Sequence, residues 1–422
     1  MKKSTKKISP MDRLLCGSAI AALSTVSVLA PGMSPSASAA LEDSPKTVVD
    51  EVWQIVNNEY VDRSFNSVDW QAKRQELLSK NYPSKEQAYN AIRAALREIG
   101  DPYTRFLDPA QFEALSSRTF GELSGVGIRM EIDKKTKILT VVEPIENSPA
   151  TQADIRPGDQ ILEIDGKVTA KMTVEEASEL IRGETGTEVR LKMARGGSKI
   201  FDVILTRVQI ELPAVRYTLK EEGNKRVGYI KLEEFTSHAA EQMERAIVKL
   251  NNDKVEAFVL DLRGNPGGLL FASVDIARMW METGTIVRTV DRKGGDRQFA
   301  ANRTALTNLP LVVLVDEYSA SASEILAGAL KDSGRATIVG NRTYGKGAVQ
   351  SVHTLSDGSG LVVTISRYYL PSGADINKRG ITPDIQLGLT AEQQLRLTSD
   401  PSLVGTGHDP QYARAISVLS RR

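Results

Sequence analysis

Leu311-Val312-Val313-Leu314-Val315 is an apolar run without a break, and a run of that length between Pro310 and Asp316 fits a buried strand. Val227 to Leu232 and Val255 to Leu262 read the same way, and Thr337 to Val339 adds a further strand. Segments of helical period lie between them. His238 to Leu250 carries Met243, Ile247 and Leu250 on one face; Leu269 to Met281 and Glu324 to Leu330 are further helices. Strand and helix alternate from about Val215, which implies an α/β core. Beyond Gly347 the pattern is strand-like again: Val349 to Leu355, a turn at Asp357-Gly358-Ser359-Gly360, then Leu361 to Leu370.

Two regions of different texture precede that core. From Thr47 to about Ala114 the pattern is helical, with Val48, Val52, Ile55 and Val56, then Ala88, Ile92, Ala95 and Leu96, at helical spacing. Gly100-Asp101-Pro102 stops the second of these helices, and packing is the simplest role for the region. From Gly121 to about Arg207 short strands alternate with turns: Gly127 to Ile132, Ile138 to Val142, Asp159 to Ile164 and Glu188 to Met193, with one helix at Val174 to Ile181. The tail from Thr390 reads as polar and weakly helical, with no motif.

The first residues read as a secretory signal. Lys2, Lys3, Lys6, Lys7 and Arg13 form a basic region, Leu14 to Ala30 an apolar core, and Ala37-Ser38-Ala39 a cleavage site. A membrane anchor is the competing reading, but Ser and Thr break the apolar run. The only cysteine, Cys16, leaves with the signal, so the exported chain has no thiol, in keeping with an oxidising compartment. The formal net charge is +1. The signal holds those five basic residues against Asp12, so the rest of the chain is near −3. With no basic patch interleaved with aromatics, nucleic acid is excluded as a partner. His238, His353 and His408 are the only histidines. None accompanies a candidate serine or forms a ligand pattern, which argues against a His-based triad and a His-rich metal site.

Chemistry concentrates in two short stretches. Ser321 lies in Ser319-Ala320-Ser321-Ala322-Ser323-Glu324, directly after the buried strand, and Lys346 lies in Tyr344-Gly345-Lys346-Gly347. A serine hydroxyl is a poor nucleophile until a base takes its proton. A lysine whose pKa is lowered by burial can be that base. Ser321-x-x-Glu324 also matches a helix capping box, which offers the serine a purely structural role. Gly340 to Gly347 comes close to a phosphate-binding loop, but Gly347 replaces the required Ser or Thr and a strand follows. Asp261-Leu262-Arg263-Gly264-Asn265-Pro266-Gly267-Gly268 ends a buried strand and opens a helix, so its N–H groups can face an anion or oxyanion. Pro266 occupies the place of a trypsin-like nucleophile, and the glycine spacing does not suit a dinucleotide.

Ser124-Gly125-Val126-Gly127-Ile128, Asn147-Ser148-Pro149-Ala150 and the stretch Ile155 to Gly166 resemble a PDZ domain. A glycine-rich loop leading into a strand edge suits a peptide's C-terminal carboxylate. Gly125, Val126, Gly127 and Ile128 are the expected binding residues.

Gly264 to Gly268, Ser319 to Ile325, Ala327 to Asp332, Tyr344 to Gln350 and Asp357 to Gly360 together resemble the carboxyl-terminal processing (tail-specific) protease family. The resemblance runs from about Thr47 to Leu387. It is nearest the branch of cyanobacteria and chloroplasts that trims the photosystem II D1 precursor. It implies an α/β core of the ClpP/crotonase-like kind, an N-terminal helical segment and an inserted β-rich PDZ domain. The expected divisions are a signal peptide at 1–39, a helical region at 40–120, a PDZ domain at 121–207, a Ser/Lys protease core at 208–389 and a tail at 390–422. The resemblance further implies Ser321 as nucleophile, Lys346 as general base, Gln350 as the residue orienting the lysine, and Asp332 as a further member of the catalytic set. It gives the oxyanion hole to the N–H groups of Gly267 and Ala322, and supporting roles to Asp261, Arg263 and Glu324. No cofactor and no metal are implied. The implied partner is a protein substrate bound through its free C-terminus, the D1 precursor, met in the thylakoid lumen or periplasm, with any contact to the membrane made through that substrate. A general periplasmic tail-specific protease, an inactive PDZ scaffold and a hydratase-like enzyme are the alternatives; the intact Ser321 and Lys346 oppose the scaffold, and the PDZ insertion opposes the hydratase.

Overall fold

The computed structural model describes residues 44–421; the expected signal peptide, residues 1–39, lies outside them. The core is a six-stranded sheet in the order Val215–Glu222, Lys225–Leu232, Ala257–Asp261, Leu311–Val315, Thr337–Gly340 and Ile385–Gln386. The first pair is antiparallel and every later pair parallel. Successive side chains of a strand point to opposite faces, and here both faces are covered. Leu311, Val313 and Val315 pack with the helices Ala239–Asn252, Leu270–Trp280 and Ala322–Asp332. Val312 and Leu314 pack on the opposite face against Tyr412, Ala415 and Leu419.

Those last three residues correct the reading of the tail. The segment after Thr390 forms the helices Ala391–Ser399 and Pro410–Leu419, and the second closes the far side of the core sheet. Tyr412 is fully buried, its ring meets Tyr229 edge-on at 5.6 Å, and its hydroxyl donates to Glu222 at 2.9 Å. Tyr412→Ala is expected to destabilise the core by about 3 kcal/mol through cavity formation, read as a lower urea midpoint.

A second sheet is organised on the long strand Gly360–Tyr369. One edge pairs with Ala348–Thr354 along its length, as the hairpin pattern requires. The other edge pairs with Thr285–Asp291 near one end and with Arg105–Leu107 near the other. Arg105–Leu107 is a strand where sequence pattern indicated only helix. It anchors the N-terminal helices Pro45–Glu59, Trp70–Ser79 and Lys85–Glu98, whose buried faces meet Leu355, Leu361 and Val363 of the hairpin.

The β-rich insertion is a sheet in the order Ile128–Ile132, Leu139–Pro144, Gln160–Ile164, Glu188–Arg195 and Lys199–Thr206. Lys199–Thr206 was not expected, because its Ile200 and Ile204 face outward, 61% and 52% exposed, against the usual alternation. The helix Val174–Ile181 begins at a capping box of Thr173 and Glu176 and buries Ala177 and Ile181 against this sheet. Among the described residues Ile128–Ile132 pairs on one side only, so its other edge is open. No helix among the described residues is long and apolar enough to cross a membrane.

Candidate active site

Ser321 stands between the buried strand Leu311–Val315 and the helix Ala322–Asp332, at φ 53° and ψ −112°. A side chain in the left-handed region costs about 1–3 kcal/mol and persists only where its surroundings enforce it. Three interactions do so. The buried Ser319 hydroxyl donates to the Leu262 carbonyl at 2.9 Å, and the Ala320 N–H donates to the Asn265 carbonyl at 3.0 Å. The buried Ser323 hydroxyl donates to that same carbonyl at 2.9 Å. The turn is thereby bolted to the loop Gly264–Gly268.

Glu324 joins the two stretches expected to carry the chemistry. Its Oε2 accepts the Ser321 N–H at 2.8 Å and the Lys346 N–H at 2.9 Å. Two nitrogens bonded to one oxygen at these lengths lie within about 6 Å of each other. Its Oε1 accepts the Thr343 hydroxyl at 2.6 Å and the Gly345 N–H at 2.7 Å. Burial pushes the Glu324 carboxyl pKa up, while these four donors pull it back. The N-terminal half of the capping-box reading is thus met through the Ser321 backbone, and the same carboxylate serves the lysine loop. Gly345 is required beside it: at φ 92°, a Cβ there would come within 2.8 Å of the Arg379 and Gly380 nitrogens.

Lys346 is half-buried. Burial, and then the Arg105 guanidinium, hold its pKa below the ordinary lysine value, against the opposing pull of Asp101 and Glu324. Its Nζ lies 4.8 Å from the centroid of the Tyr103 ring. Among the described residues no hydrogen bond joins that amine to the Ser321 hydroxyl, so the structure holds the pair adjacent and unengaged. Gln350 follows at an irregularity in the strand Ala348–Thr354, between Val349 and Gln350, and its Nε2 is buried without a hydrogen-bond partner.

The glycine loop touches the serine. Gly267 has φ 104°, and a Cβ there would sit 2.9 Å from the Ser321 Cβ and 3.0 Å from the Ala322 nitrogen. The Ala322 N–H is the first of its helix, where no intrahelical acceptor exists. The Gly267 N–H, however, donates to the buried Asn265 Oδ1 at 2.9 Å. The two expected oxyanion donors are therefore neighbours, but one is engaged internally in this structure.

Asp332 is the expected site residue that the structure leaves outside. It ends the eleven-residue helix that Ser321 begins, about 16 Å away at 1.5 Å per residue. It is exposed and accepts the Ser372 N–H at 3.0 Å.

Asp261 and Arg263 form a buried network under the glycine loop. The Arg263 guanidinium donates to Asp261 at 2.6 Å, to Asp409 at 2.7 Å and to Gln411 at 3.0 Å. Burial pushes the Asp261 carboxyl pKa up, but Arg263, Lys231 and the Tyr229 hydroxyl outweigh it, leaving the pKa well below the usual carboxylate range. Asp409 and Gln411 belong to the tail that carried no motif. Asp316 is a further residue that sequence reasoning missed; it accepts the Gly264, Tyr318 and Ser319 N–H groups and so ties loop to turn. Only the Asp and Asn at turn positions were legible signals for such ties.

In the insertion, Val126 is buried and its carbonyl accepts the Ala150 N–H at 2.9 Å, while the Gly127 carbonyl accepts the Ile145 N–H at 2.8 Å. Gly125, Val126 and Gly127 thus lead into the open-edged strand that starts at Ile128, with the helix Val174–Ile181 packed against it.

Comparison with known proteins agrees with this arrangement. Residues 226–387 match the family model described as peptidase family S41, and residues 140–195 match that of a PDZ domain. A carboxyl-terminal-processing protease of Synechocystis sp. is 40% identical over 391 residues, covering 92% of this chain and 90% of its own. The carboxyl-terminal-processing peptidase 3, chloroplastic, of Arabidopsis thaliana is 39% identical over 374 residues, covering 84% of this chain and 72% of its own. Among solved structures, a photosystem II D1 C-terminal processing protease superposes with a TM-score of 0.55 at 36% identity, over 87% of this chain and 99% of that one. With a PDZ insertion, an α/β core and relatives of about 40% identity matched over most of their length, the chain belongs to peptidase family S41, as a serine-type peptidase of the carboxyl-terminal-processing group.

Proposed function

We propose that this chain is a Ser/Lys endopeptidase that removes the C-terminal extension of the photosystem II D1 precursor, with Ser321 as nucleophile and Lys346 as general base. The observation that carries the dyad is the single Glu324 oxygen bonded to the backbone N–H groups of both residues. Neutral Lys346 takes the Ser321 proton, and the serine attacks the scissile carbonyl. Lys346 then protonates the leaving amine, and water releases the acyl-enzyme. The amine must first leave the Tyr103 ring and turn to the hydroxyl. The unpartnered Gln350 amide supports its role as the group that orients the lysine there. The developing oxyanion is met by the N–H groups of Ala322 and Gly267, the latter on release from Asn265. Asp261 and Arg263 hold the loop that presents Gly267.

The PDZ domain supplies direction. The loop Gly125 to Ile128 takes the carboxylate, and the open edge of Ile128–Ile132 takes the extended tail. The D1 substrate is supported by the likeness to the photosystem II D1 C-terminal processing protease. The basic and apolar start of the chain supports export to the thylakoid lumen or periplasm. A synthetic D1-precursor tail peptide and its C-terminal amide test the reading by product mass. The free acid is expected to be cut at one site, and the amide about tenfold or more slower, since a charged hydrogen bond of about 1.5–3 kcal/mol is lost. Equal cleavage would refute carboxylate reading, and no cleavage of the free acid would refute the substrate.

A further inference from the structure

Tyr103 takes no part in bond making or breaking above, yet its ring is the surface on which the Lys346 amine rests, 4.8 Å from the centroid. Its place is set by the end of the N-terminal helical region. The Asp101 carboxylate accepts the Tyr103 N–H at 3.0 Å and the buried Thr104 hydroxyl at 2.6 Å. The Thr104 hydroxyl oxygen in turn accepts the Thr364 N–H at 3.1 Å, and Arg105–Leu107 pairs with the strand that starts at Gly360. The ring is therefore fixed to the hairpin whose first strand follows Lys346.

An aromatic face attracts an ammonium and offers nothing comparable to a neutral amine. Among the described residues Lys346 Nζ has no hydrogen bond and no ion pair, so the ring is its one specific contact. We propose that Tyr103 is a positioning residue that parks Lys346 as its ammonium, away from Ser321, so that the N-terminal helical region sets the pH at which the base becomes available. This rests on the assignment of Lys346 as base. Other groups face the same amine: Arg105 disfavours its charge, while Asp101 and Glu324 favour it. Burial, and then the neighbouring Tyr344, push the Tyr103 hydroxyl pKa up to about 12. The phenol is therefore neutral in the working range and acts through its face.

Tyr103→Leu keeps an apolar contact and removes the ring face, whereas Tyr103→Phe keeps the face. In the full chain, Lys346 ionisation is read by competitive acetylation with mass spectrometry, and kcat/KM is read across pH on the free-acid tail peptide. With Tyr103→Leu, both the Lys346 ionisation and the acid limb of kcat/KM are expected to move down by roughly 0.5–1.5 pH units. With Tyr103→Phe neither moves. A purely structural role would lower activity at every pH without moving the limb. Should Tyr103→Leu not fold, progressively fluorinated phenylalanines at position 103 keep the shape and weaken the ring face, and ionisation is expected to fall with each fluorine. An unmoved Lys346 ionisation in Tyr103→Leu or in the fluorinated series overturns the proposal, as does a Tyr103→Phe shift as large as that of Tyr103→Leu. Movement of the ionisation without the activity limb overturns the base assignment instead.

Discussion

Lys346→Arg and Lys346→Ala are each expected to lower kcat/KM by roughly 10⁴-fold or more, as loss of one member of a catalytic unit does. Arginine cannot give up a proton in the working range, and alanine has none to exchange. The fold should survive both changes. What ties the lysine loop to the core is the Lys346 backbone N–H on Glu324, not the side chain. Among the described residues the ε-amine makes no hydrogen bond that its removal would orphan. Far-ultraviolet circular dichroism of the parent and variants should therefore coincide while peptide cleavage disappears. The parent enzyme should gain activity as pH rises through the Lys346 ionisation, because only the neutral amine accepts the serine proton. Burial and Arg105 place that ionisation below the ordinary lysine value. Turnover by Lys346→Arg within tenfold of the parent would contradict the base assignment.

Glu324→Ala should cost both stability and activity. The fully buried carboxylate accepts from the Ser321, Gly345 and Lys346 N–H groups and the Thr343 hydroxyl. Removing it leaves four buried donors without an acceptor, at about 1–3 kcal/mol for each that water cannot reach. A loss of about 5 kcal/mol is expected, read from the urea midpoint. The Ser321 turn and the lysine loop also lose their common tie, so kcat should fall at least a hundredfold, since about 1 Å of misplacement costs that much. Glu324→Gln separates the two effects. Its amide keeps one acceptor oxygen and turns two donors toward the donors already present, so the fold is retained better than in Glu324→Ala while kcat still drops. Parent-like kcat in Glu324→Gln would show that the tie does not position the dyad.

The core was legible because its strands are buried on both faces. Leu311–Val315 announces itself by having no polar position at all. The nearness of the Ser321 and Lys346 stretches was legible for a related reason: Ser321 comes soon after that strand, and Lys346 is flanked by glycines that let a loop fold close to the helix start. What escaped was contact between segments far apart in the chain. Asp409 and Gln411 read as polar tail residues, and only the fold reveals them around the Arg263 guanidinium. The helix Pro410–Leu419 does carry Tyr412, Ala415 and Leu419 at helical spacing, but the polar stretch before it makes the whole tail read as weakly helical, and nothing in one short helix says which sheet face it covers. Arg105–Leu107 is three residues long, too short for an alternation signal, yet it is what brings Tyr103 to the lysine. Asp332 failed in the opposite sense. The family resemblance made it a candidate, and the rise of a helix carries it away from Ser321. The engagement of the Gly267 N–H by Asn265 could not be read from residue types, because the same loop sequence serves both an internal bond and an open oxyanion site.

The central claim is that the ionisation of Lys346 governs attack by Ser321. Rapid-quench mass spectrometry of the full chain with an activated ester, over a range of pH, measures the rate at which Ser321 is acylated. Competitive acetylation of the same protein measures the ionisation of Lys346. The expected result is one shared pKa, with the Ser321 adduct absent in Lys346→Ala. Undiminished acylation of Ser321 at a pH where Lys346 is fully protonated would contradict it.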